Sequence, residues 1–90
     1  MSIKVHLYSN LQTYTDGRNV VEVNGGTIGE CLNDLVKQFP EVRNILLDKQ
    51  DKLLDQVFIS INLQSPYREQ IDKQVKDGDD LYIGLIIAGG

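Results

Sequence analysis

Thr27-Ile28-Gly29-Glu30-Cys31-Leu32-Asn33-Asp34-Leu35-Val36-Lys37-Gln38-Phe39-Pro40 contains a helix start, one apolar stripe and a stop. Thr27 is an N-cap residue, and Glu30, three positions on, completes a capping-box pattern. Ile28, Cys31, Leu32, Leu35, Val36 and Phe39 recur at helical spacing and predict a single buried face. Glu30, Asn33, Asp34, Lys37 and Gln38 take the other side. Pro40 closes the helix, because the residue before a proline is driven out of the α region. A helix with one stripe can cover one face of one sheet. The chain therefore reads as a two-layer α+β domain.

The strands of that sheet lie on both sides of the helix. Ile3-Lys4-Val5-His6-Leu7-Tyr8 alternates with period two, so Ile3, Val5 and Leu7 are expected inward and Lys4, His6 and Tyr8 outward. A polar stretch, 9–19, follows, with Asp16-Gly17 as its turn. Val20 to Val23 reads as the return arm of a hairpin, ended by Asn24-Gly25-Gly26. Beyond the main helix, Glu41 to Leu47 is expected to form a short second helix with Val42, Ile45 and Leu46 inward. Asp48 to Asp55 is a loop. Gln56 to Leu63 is a strand with Val57, Ile59, Ile61 and Leu63 on one face and Phe58, Ser60 and Asn62 on the other. Gln64 to Gly78 is irregular and ends in the Asp77-Gly78 turn. Leu81 to Ile87 is the last strand. The first and last strands are aliphatic and are expected side by side at the sheet centre, joined by a crossover.

Composition narrows the function. Ninety residues with 41% hydrophobic content make one domain, 1–90, with one core. Thirteen acidic residues against nine scattered basic ones argue against nucleic acid and favour a basic patch on a protein partner. The single cysteine, Cys31, excludes an internal disulfide and an all-cysteine metal or iron–sulfur site within one chain. The absence of an apolar leader or membrane-length run predicts a soluble cytoplasmic protein.

No catalytic constellation stands out. His6 is the only histidine, which leaves no second one for a metal pair, and Cys31 sits on the apolar stripe, where a thiol behaves as a small hydrophobe. Asp79-Asp80 reads as a solvated turn without calcium-loop spacing. Gly25-Gly26-Thr27 lacks the phosphate-loop lysine and reads as a helix cap. No resident cofactor or metal is expected.

The remaining feature is the end, Leu85-Ile86-Ile87-Ala88-Gly89-Gly90. A flexible tail over about 87–90 would reach roughly 13 Å when extended. Gly89 and Gly90 keep it slim enough to thread a channel and present the Gly90 carboxylate. Tyr82 and Ile86 alternate away from the helix, and Phe58 is expected beside them as a partner-docking patch near the tail.

Asp77-Gly78-Asp79-Asp80-Leu81 through Ile87-Ala88-Gly89-Gly90 resembles the C-terminus of the ubiquitin-like sulfur carriers. The nearest likeness is to the molybdopterin synthase small subunit, with the thiamine-pathway carrier a more distant relative. Gly26-Thr27-Ile28-Gly29-Glu30-Cys31-Leu32 resembles that family's main-helix start. Phe39-Pro40 with Arg43-Asn44-Ile45-Leu46 resembles its second helix. Leu85-Ile86 stands where many such subunits have two prolines, which predicts a more strand-like approach to the tail. The resemblance implies a β-grasp fold, a mixed sheet with one main helix on one face. It also implies that a ubiquitin-activating-like enzyme adenylates Gly90 with ATP and that a persulfide or sulfide source converts it to a thiocarboxylate. A large catalytic synthase subunit would then receive the sulfur for molybdenum or tungsten cofactor biosynthesis. Ala88 and Gly89 would serve as tail access. The protein would be a carrier rather than an enzyme. Delivery to thiamine, cysteine or another thio-compound stays open, as do a modifier joined to lysines through Gly90 and a plain interaction domain.

Overall fold

The computed structural model describes residues 2–8, 11–62 and 71–85. Six elements form two layers: β1 (Ser2–Leu7), β2 (Val20–Asn24), α1 (Ile28–Gln38), α2 (Arg43–Leu46), β3 (Val57–Ile61) and β4 (Asp80–Leu85). The strand order is β2-β1-β4-β3. β1 pairs with β2 antiparallel and with β4 parallel, and β3 pairs with β4 antiparallel. The two aliphatic strands are therefore central and adjacent, as the sequence pattern predicts. The parallel β1–β4 pair requires the crossover that α1 and α2 provide.

The start of α1 follows its sequence signature with one shift. Thr27 Oγ1 accepts the Glu30 N–H at 3.1 Å. Glu30 Oε1 reaches back to the N–H of Gly26 at 2.8 Å, one residue before the cap itself. Gly25 is required by close approach, since a Cβ there would lie 2.7 Å from the backbone nitrogen of Cys31. At the other end, Phe39 donates its N–H to the Leu35 carbonyl at 2.8 Å, and Pro40 begins a 3-10 turn, Pro40–Val42, that leads into α2. The expected second helix over Glu41 to Leu47 is thus split, because Pro40 seeds a tighter turn before α2 begins.

The core lies between α1 and one face of the sheet. Ile3, Val5, Val21, Val23, Ile28, Cys31, Leu32, Leu35, Ile59, Leu81 and Ile83 are all buried, and Val36 and Phe39 pack at its margin. Two expectations are corrected. The polar stretch 9–19 holds a 3-10 turn, Leu11–Tyr14, that sends Leu11 into the core. Thr15 is also buried, and its Oγ1 donates to the Arg18 carbonyl at 2.9 Å. Ser60 lies on the same face as Phe58, as the alternation predicts, and is 1% exposed. It sits opposite Tyr82 across the β3–β4 pair, where a large ring and a small side chain share one level of the sheet. β3 also ends sooner than expected, because Asn62 adopts a positive φ of 54° and its side-chain Oδ1 accepts the Asp80 N–H at 2.8 Å. Leu63 and the predicted strand ends Ile86 and Ile87 fall outside the described residues.

Candidate functional site

The open face of the sheet is built by the residues that alternate away from α1, and register aligns them in three rows. Glu22, Lys4 and Asp80 form the first row, and the Asn62 N–H extends it by donating to the Asp80 carbonyl at 2.8 Å. Val20, His6, Tyr82 and Ser60 form the second. Tyr8, whose N–H bonds the Ile83 carbonyl, continues the β1–β4 register into a third row with Gly84 and Phe58. Polarity therefore falls along β4, from alternating charges at Asp80 to aromatic and small residues at Gly84. The strand runs toward residue 86 at this apolar end.

The aromatic groups are organised by stacking. The His6 and Tyr82 rings lie 4.4 Å apart and 11° from parallel, and Tyr8 is 6.2 Å from Tyr82 at the same angle. Such pairs stabilise by roughly 0.5–1.5 kcal/mol each and fix the rings in place. The far side of His6 is held as well, with Nε2 2.9 Å from Asp80 Oδ1. A carboxylate only accepts hydrogen bonds, so the imidazole carries a proton on Nε2. Tyr8 is 54% exposed and Val20 44% exposed, whereas Tyr82 and Phe58 are half-buried.

Of the predicted docking residues, the structure places Phe58 and Tyr82 on this one face, on neighbouring strands. Ile86, together with the tail residues Ala88, Gly89 and Gly90, lies outside the described residues. Alternation in β1 already placed His6 and Tyr8 outward, but their stacking on Tyr82 depends on the parallel β1–β4 register. Asp79 and Asp80 are more than a solvated turn. Asp79 accepts hydrogen bonds from the Lys76 N–H at 2.8 Å and the Asn62 amide at 3.1 Å. These bonds hold its carboxyl below the usual range.

Elsewhere the chemistry is sparse. Among the described residues, no group of His, Cys, Asp or Glu could hold a metal ion, and no helix is long and apolar enough to cross a membrane. Cys31 is fully buried, and burial, with Glu30 and Asp34 nearby, pushes its thiol up to about 11 from 9.0. This disfavours a nucleophilic role. The unfolded chain ionises first, so stability is complete below pH 9 and declines as pH rises toward 11. Urea unfolding across that window is expected to show the decline in the native sequence and a flatter profile in Cys31→Ala. Matching profiles would contradict the assignment.

No protein-family model matches the sequence, and no curated protein does so either. Solved structures match along nearly the whole chain. A chain of the Amycolatopsis orientalis BexX/CysO complex superposes with a TM-score of 0.83 at 28% identity, covering 98% of this chain and 99% of that one. SAMP1 from Haloferax volcanii gives a TM-score of 0.85 at 22% identity, with full coverage of both chains. A putative molybdopterin converting factor subunit 1 from Pyrococcus furiosus gives 0.73 at 16%, covering 97% of this chain and 99% of that one. The fold is the ubiquitin-like β-grasp, as the sequence resemblance implies.

Proposed function

We propose that this β-grasp chain is a sulfur carrier whose C-terminal Gly90 is activated by a partner enzyme and converted to a thiocarboxylate. The observation that supports this most is the combination of a Gly-Gly end with full-length superposition on a chain of the BexX/CysO complex. The carboxylate is a poor acyl donor because oxide is a poor leaving group. In the partner's site, a Gly90 oxygen attacks the α-phosphorus of ATP and pyrophosphate departs, leaving an acyl-adenylate. Sulfide then attacks the carbonyl carbon, and AMP leaves with the C–O bonding pair. With a persulfide donor the first product is an acyl disulfide, which a thiol must cleave to free the thiocarboxylate. The carrier supplies no catalytic residue and binds no cofactor. ATP belongs to the activating enzyme.

Recognition and access fall to different parts of the chain in this proposal. The open face gives recognition, and Ala88 and Gly89 give Gly90 access to a narrow site. Phe58, Tyr82 and Ile86 form the docking patch, with Tyr8 and His6 extending it. The partners are a ubiquitin-activating-like adenylating enzyme, a sulfur donor and an acceptor enzyme. We assign the acceptor to the large subunit of a molybdopterin synthase, on the sequence resemblance and the Pyrococcus likeness. The name of SAMP1, a small archaeal modifier protein, supports a second reading, a modifier attached to lysines through Gly90.

Intact mass of protein co-expressed with an activating enzyme and sulfur donor tests the reading. One oxygen replaced by one sulfur is expected. Unmodified protein beside a demonstrably active enzyme would contradict it, and high-mass lysine conjugates would select the modifier. Docking has its own test. Tyr82→Asp places a charge among the stacked rings and is expected to weaken binding to the activating enzyme by about 2 kcal/mol, roughly thirtyfold. Calorimetric titration would read the loss, with circular dichroism showing the fold retained. Unchanged affinity would remove the open face as the docking site.

A further inference from the structure

We infer that Asp34 and Gln38 of α1 close the outer edge of β2 to strand addition, and so prevent this chain from pairing its β2 with that of a second copy. β2 is an edge strand of the sheet described here. Its hydrogen bonding alternates in a way the contacts define. Leu7 donates its N–H to the Asn19 carbonyl at 2.8 Å, so odd-numbered β1 residues bond β2. Lys4 and Tyr8 donate to the Asp79 and Ile83 carbonyls, so even-numbered ones bond β4. In the antiparallel register, Val21 and Val23 therefore point their backbone groups inward, and Val20, Glu22 and Asn24 point theirs outward.

An edge reading Val-Val-Glu-Val, without proline or lysine, is a template for pairing. Two of its outward groups are already occupied. Gln38 Nε2 donates to the Glu22 carbonyl at 3.0 Å, and Asp34 Oδ2 accepts the Asn24 N–H at 2.8 Å. Gln38 Nε2 also lies 3.4 Å from Asp34 Oδ2, so the two side chains, one helical turn apart, support each other.

The occupant they exclude is a second copy, because β2 is self-complementary in one register that needs both covered groups. Two β2 strands set antiparallel, with Val21 on the two-fold axis, place Val20 opposite Glu22 of the second copy. These residues exchange hydrogen bonds through the Glu22 carbonyl, which Gln38 covers. Asn24, whose N–H Asp34 covers, meets Arg18 of the second copy. No carboxylates stand directly opposite each other, and the exposed Val20 gains a neighbour. The arrangement is isologous and closes at two copies.

Sedimentation equilibrium on the full chain tests this. The native sequence is expected to remain monomeric, and Asp34→Ala/Gln38→Ala to rise toward twice the monomer mass with concentration. Adding Glu22→Pro removes an outward N–H and no β1 bond, so the triple variant is expected to return to monomer. Gln38→Ala alone frees the Glu22 carbonyl while adding a stronger helix former, and it decides the matter if the double variant does not fold. A folded variant that stays monomeric, a dimer that survives Glu22→Pro, or assembly beyond two copies would each overturn the inference.

Discussion

Deletion of Gly90 is expected to abolish sulfur acceptance completely while leaving the domain folded. In the proposed reaction the reacting carbon is that of Gly90, so its loss moves the terminal carboxylate one residue back, onto Gly89. The shift is roughly 3.3–3.6 Å along an extended chain. Misplacement by about 1 Å is enough to cost on the order of 10²-fold when a reaction depends on near-attack geometry, and this displacement is larger. A residue without a side chain gives the core nothing to bury, so the thermal midpoint should stay close to that of the full chain. Thiocarboxylate formation by intact mass and the midpoint by circular dichroism separate the two effects. Retained sulfuration would place the reactive group elsewhere, and a lost transition would place the end of the chain in the fold.

Truncation of Leu35 is the counterpart in the core. Its side chain is fully buried at the middle of the α1 stripe, between Leu32 and Phe39. Leu35→Ala removes apolar contact and leaves a cavity that the surrounding sheet cannot fully close, which costs about 3 kcal/mol. For a domain with only some 5–15 kcal/mol of stability, that is a large fraction. The urea midpoint should fall with an unchanged slope. A loss below about 1 kcal/mol would mean that α1 is not the helix on which the core depends. Sulfuration of the remaining folded protein should be unaffected, because Leu35 faces away from the open face.

The layers were legible because they rest on periodicity. The α1 stripe, its Thr27 cap and the inward set Ile3, Val5, Leu7 in β1 follow from spacing alone. The central β1–β4 pair followed from two aliphatic strands and the need for a crossover. What escaped depended on contacts between distant residues. Leu11 lies in a polar stretch with no repeating pattern, and its burial comes from a 3-10 turn that carries it into the core. Val75, between Gln74 and Lys76 in an irregular segment, is buried where its N–H bonds the Gly26 carbonyl at 3.0 Å, a contact between distant parts of the chain. The candidate site was half visible. Alternation placed Phe58 and Tyr82 outward, and the parallel register then set His6 on Tyr82 and Asp80 on His6. Asp79-Asp80 reads as a solvated turn because the Asn62 partner of Asp79 and the His6 partner of Asp80 lie on separate segments. The edge contacts of Asp34 and Gln38 were hidden for a similar reason, since a solvent-facing helix position looks the same whether or not a strand edge lies beneath it.

Alkylation of the native protein after co-expression with an activating enzyme and sulfur donor tests the carrier assignment most directly. The only cysteine is buried, with a thiol pushed up to about 11, so it should stay unlabelled at neutral pH. A thiocarboxylate at Gly90 is ionised there and should react. Peptide mapping is expected to find the label on Gly90 and none on Cys31. Label on Cys31 alone, or no label beside an active enzyme, would contradict the claim that this chain carries sulfur at its C-terminus.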